Sequence, residues 1–67
     1  MTVVITLSTG EKKLLDRNLT TDQVVEAVNG GRGQGKLIPF QDNQTPSRTL
    51  YIDPDHVIGI HNDGYNY

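Results

Sequence analysis

"LTTDQVVEAVNGGRGQGKL", residues 19–37, decides how this chain of 67 residues folds. Its first half predicts a helix. Thr20 is a good N-cap, and Gln23 three residues later completes a capping box. Leu19 and Val24 are spaced as a hydrophobic staple, and Asp22 puts negative charge in the first turn, where it complements the helix dipole. Val24, Val25 and Val28 form the buried stripe, and Asn29-Gly30 reads as the C-terminal stop. Such a helix has only about two and a half turns, too short to persist without a sheet to pack on.

The second half looks like a phosphate loop. From Gly30 the text reads G-x-x-x-x-G-K, ending in Gly35 and Lys36. A working P-loop follows a strand and opens a helix, so that backbone N–H groups and the helix N-terminus converge on phosphate. Here the helix comes first. Its C-terminus carries partial negative charge, and Leu37 stands where the magnesium-holding Ser or Thr belongs. Nucleotide hydrolysis is therefore set aside. What remains is a helix stop and a flexible, locally positive connector, with Arg32 and Lys36 placed to neutralise the helix's last carbonyls.

Working outward, residues 2–7 (TVVITL) alternate in β-branched residues and predict a strand. STGE follows as a hairpin turn. A two-residue Thr9-Gly10 loop sets Ile5 opposite Leu14 and Val4 opposite Leu15, apolar against apolar on both faces, so EKKLLD is the second strand. Beyond the glycine loop, KLIPFQ reads as an edge or bulged strand because Pro39 cannot donate to a ladder. DNQTPSR is a polar loop, TLYI a strand, DPD a turn with Pro54 at its second position, and HVIGIH the last strand. Residues 1–62 thus make one α+β domain of order β-β-α-β-β-β, with residues 63–67 a frayed tail. A sheet curled into a small open barrel with one helix is the alternative.

A domain this small buries only roughly 60% of its unfolded surface, so its margin of stability is thin. It has no cysteine, which excludes disulfides and thiolate metal sites and leaves self-association as a means of support. No basic leader precedes the first apolar run, and no segment is apolar enough to span a bilayer, so the expected location is cytoplasmic with no membrane partner. The net charge is −2: residues 1–36 carry five basic and four acidic side chains, residues 37–67 one and four. That balance lacks the broad positive field of a nucleic-acid-binding protein.

No cofactor and no metal site is expected. His56 and His61, five apart on a strand, point to opposite sides, and DPD lacks the spacing of a calcium loop. Asp53 and Asp55 are assigned to turn chemistry. Ser8 and Ser47 sit in predicted turns with no partner implied, and so small a domain rarely encloses a substrate pocket. The sequence therefore predicts no enzyme.

The stretch YIDPDHVIGIH, residues 51–61, resembles the strand, Asn/Asp-Pro turn and Ile/Val-rich strand of small bacterial motility proteins of the FlbD type. It covers eleven of the 67 residues, the helix and glycine loop have no counterpart in that pattern, and no function is carried over from it.

The expected function is that of a small accessory or regulatory protein, of bacterial or phage type, which binds another protein or a copy of itself. The candidate contacts are Val4, Leu15, Phe40 and Tyr51, with Val4, Leu15 and Tyr51 on the sheet face away from the helix. TVVITL and KLIPFQ are the edges able to pair with another chain. A nucleic-acid-binding regulator using Arg32, Lys36, Lys12, Lys13 and Arg17 is the second reading, with stacking by Phe40, Tyr51, Tyr65 or Tyr67. A phage-type inhibitor of a host system is the third, on size and acidity.

Overall fold

A computed structural model describes residues 2–64. The observed order is β1 (Val3–Leu7), β2 (Lys12–Leu14), α1 (Thr21–Gly31), β3 (Ile38–Gln41), β4 (Thr49–Ile52), a single 3-10 turn (Pro54–His56) and β5 (Val57–Asn62). This is the α+β order predicted from the sequence. The strands form two antiparallel sheets, β2-β1-β5 and β3-β4. An isolated Leu15–Asp42 bridge joins them, with the Asp16 amide donating to the Gln41 carbonyl at 2.9 Å and the Asn43 amide to the Leu14 carbonyl at 3.2 Å. No ladder joins β4 to β5, so the barrel does not close. The tyrosines Tyr65 and Tyr67, proposed for stacking, lie outside the described residues, as does most of the expected tail.

The first hairpin differs from expectation by one residue. Its loop has three residues, Ser8–Gly10: the Leu7 amide donates to the Glu11 carbonyl at 2.8 Å and the Gly10 amide to the Leu7 carbonyl at 2.9 Å. Gly10 takes the left-handed conformation, φ +89°, that such a loop needs. Val4 therefore pairs with Leu14 and Ile5 with Lys13. A slip of one residue exchanges the two faces of a strand. Leu15, whose amide donates to the Val3 carbonyl at 3.0 Å, lines up with Val3 and enters the core instead of the outer face. Lys13 takes the inward-facing rung, and its ammonium group meets Glu11 at 2.8 Å at the rim.

β1 is also not an edge, because β2 and β5 flank it on both sides. Its pairing with β5 slips between Thr6 and Leu7, which leaves Ile58 opposite no residue of β1, bulged outward and 68% exposed.

α1 begins as predicted: Thr20 and Gln23 form both halves of the capping box, at 3.2 and 3.0 Å. Val24 and Val28 are buried, whereas Val25 is only half-buried, and Leu19 packs against the core. The core combines Val3, Ile5 and Leu15 from the first sheet, Phe40 and Ile52 from the second, the two helix valines, and Val57. The helix runs one residue past the expected stop, to Gly31. A Cβ there would lie 2.5 Å from Ile38 Cδ1 and 3.1 Å from Pro54 Cγ, so the helix end packs closely against β3 and the 3-10 turn.

Candidate functional site

β4 is an open strand edge: its far side pairs with no strand among the described residues. The Asp42 amide donates to the Arg48 carbonyl at 3.1 Å, which makes Asp42–Arg48 a hydrogen-bonded pair of the β3–β4 ladder. Antiparallel pairs alternate, so Phe40–Leu50 and Ile38–Ile52 are bonded, while Gln41–Thr49 and Pro39–Tyr51 direct their backbone groups outward. The Gln41 carbonyl confirms this parity, since it turns away from β4 to accept from Asp16. Pro39 is tolerated for the same reason: its missing N–H would have faced away from the ladder. On the far side of β4, the backbone groups of Thr49 and Tyr51 face outward, and no strand among the described residues pairs with them.

Beside that edge lies an open groove of about 360 Å³ between the β1–β2 hairpin and β4. Leu7, Leu50 and Ile52 give it an apolar lining, and Glu11, Lys13, Asp53 and His56 contribute charged or titratable groups. The Tyr51 side chain stands next to it, 66% exposed. Of the four contact candidates, Tyr51 alone is presented to solvent. Leu15 and Phe40 are core residues, drawn inward by the hairpin register and by the alternation of β3. Val4 does lie on the rung opposite to Val3 and Ile5, but it is 3% exposed, with Leu14 and His61 as its cross-strand neighbours.

The basic candidates do not converge. The Arg32 guanidinium donates to the carbonyls of Pro54 at 2.9 Å and Val57 at 3.0 Å, rather than to the end of its own helix. With the Gly33 amide on Asp55 Oδ1 at 3.0 Å, it fastens the glycine loop to the 3-10 turn. Lys36 is exposed on the same loop. Arg17 lies at the opposite end of an 11-residue helix, about 16 Å long. Lys12 and Lys13 point to opposite faces of β2, and Lys13 is paired with Glu11.

One cluster was not legible in the sequence. Ser8 Oγ lies 3.0 Å from His56 Nδ1, and His56 Nε2 lies 3.5 Å from Asp53 Oδ2. Serine, histidine and carboxylate in this order are the elements of nucleophilic catalysis. Here the Ser8 amide, a natural oxyanion donor, is committed to the His56 carbonyl at 2.7 Å. Asp53 Oδ1 accepts from the Asp55 amide at 3.0 Å and caps the 3-10 turn. Together these bonds tie the hairpin tip to the turn and hold one wall of the groove. Ser8 and His56 are 48 residues apart, so no local pattern could announce the pair. Among the described residues no group of three or more His, Asp or Glu side chains is placed to hold a metal ion, and no helix is long and apolar enough to cross a membrane.

No protein-family model matches this chain, and comparison with curated proteins and with solved structures returned no match.

Proposed function

We propose that this is a small non-catalytic accessory or regulatory protein of the cytoplasm that acts by binding an extended protein segment, from another chain or from a copy of itself, along β4. One observation carries the reading: the outward backbone groups of β4 stand beside an apolar groove and an exposed Tyr51. Strand addition takes affinity from main-chain hydrogen bonds and specificity from pockets for alternate side chains, and this edge offers both. The absence of cysteine agrees with a reducing compartment. Ser8, His56 and Asp53 serve in this reading as a wall of the binding groove.

A photo-reactive residue at position 51, with one at position 58 as control, tests the reading in the cells that make the protein. Both side chains are exposed, but only the first borders the groove between the β1–β2 hairpin and β4. A protein adduct at position 51 and none at 58 is expected. No adduct at position 51, with the protein folded and abundant, would overturn it.

A further inference from the structure

We infer that the occupant of the β4 edge is a second copy of this chain, paired antiparallel about a two-fold axis through Tyr51; this rests on the binding reading above. The register follows from the ladder parity. Tyr51 has its amide and carbonyl on the open side, so a two-fold there lets Tyr51 and Tyr51 of the other copy exchange both hydrogen bonds. Thr49 then faces Asp53 of the other copy, and Leu50 faces Ile52.

Two features of β4 suit it to its own copy. Arg48 precedes the strand and the acidic pair Asp53 and Asp55 follows it. Antiparallel pairing brings the basic end of each copy to the acidic end of the other, twice. Arg48 is also the single basic residue of residues 37–67, against four acidic ones, so parallel pairing would set acid beside acid. The second feature is the outer face. Pro39 and Tyr51 share a rung and are both exposed. Pairing about Tyr51 extends that rung into one row, Pro39-Tyr51 of one copy and Tyr51-Pro39 of the other. It also turns a two-stranded sheet, a marginal unit, into a four-stranded one.

The native chain has no cysteine, so single cysteines report the register directly. Residues of a hydrogen-bonded antiparallel pair have Cα atoms about 5.5 Å apart, within the span of a disulfide. Tyr51→Cys is expected to oxidise to a covalent homodimer. Thr49→Cys, whose two copies would sit four rungs apart at roughly 13 Å, is expected not to. Light scattering of the unmodified protein from micromolar to millimolar concentration is expected to show the mass rising towards twofold. Tyr51→Lys, which sets two like charges opposite each other, is expected to hold the mass at one chain with an unchanged circular dichroism spectrum. A protein that stays monomeric throughout while Tyr51→Cys remains a free thiol would overturn the self-pairing. Crosslinking of Thr49→Cys in place of Tyr51→Cys would equally overturn it, by excluding this register. A monomer that gives a photo-adduct at position 51 with a different protein would overturn self-pairing and leave the binding reading standing.

Discussion

The Arg32 guanidinium donates to the Pro54 carbonyl at 2.9 Å and reaches the Val57 carbonyl with its second nitrogen, across more than twenty residues of chain. A loop that resembles a phosphate cradle thus has its arginine turned onto backbone acceptors of its own fold. Arg32→Ala is expected to lower stability by about 1–2 kcal/mol, less than the roughly 1.5–3 kcal/mol of a buried hydrogen bond to a charged group because water reaches the site. Arg32→Lys should recover little of it, because a single ammonium nitrogen replaces the two guanidinium nitrogens that each reach their own carbonyl. Urea denaturation followed by circular dichroism measures both.

Gly30 and Gly31 are neighbours in the last turn of α1 and should respond with opposite signs. Alanine is favoured over glycine inside a helix by up to about 1 kcal/mol. A Cβ on Gly30 meets nothing within 4 Å, so Gly30→Ala should raise the denaturation midpoint. A Cβ on Gly31 meets Ile38 at 2.5 Å and Pro54 at 3.1 Å, so Gly31→Ala should lower it. Equal shifts in the two variants would contradict the packing of the helix end on β3.

Leu15 tests the hairpin register. It is fully buried among Val3, Ile5 and the helix valines. Leu15→Ala should cost about 2–5 kcal/mol, enough to threaten the fold of a domain this size. Tyr51→Ala, on an exposed strand position, should change the stability of the monomer by less than about 0.5 kcal/mol. Thermal melts of the two at low protein concentration separate these outcomes.

The Ser8–His56 contact makes a chemical prediction as well. If the cluster is a wall of the groove, hydrolysis of 4-nitrophenyl acetate by the protein should be no faster than by its Ser8→Ala variant, and an organophosphonate should not label Ser8. The same substitution should cost roughly 1 kcal/mol or less, since it removes one exposed side-chain hydrogen bond. Faster ester hydrolysis that depends on Ser8 would sink the non-catalytic reading.

Much of the fold is written locally. The helix start could be read because a capping box satisfies its donors within four residues, and the strands because alternation marks a half-buried sheet. The hairpin register is not fixed locally, because Thr9-Gly10 and Ser8-Thr9-Gly10 both suit a hairpin loop. Apolar matching favoured the shorter one, whereas the left-handed glycine at the end of a three-residue loop was the geometry adopted. That single residue sent Leu15 inward and removed it from the candidate surface. Tyr51 is legible in the sequence as a candidate contact, but the openness of its strand is not, since it depends on which strands lie beside it.

By itself the sequence determined the element order, the capped helix and the rejection of a P-loop, because each depends on residues within a few positions of one another. Tertiary structure alone decided that β1 is central and β4 open, that Arg32 belongs to the Pro54–Val57 turn, and that Ser8 meets His56. Those outcomes depend on contacts between segments far apart in the chain, where side-chain size and the hydrogen-bond parity of each ladder, rather than local propensity, set who faces whom.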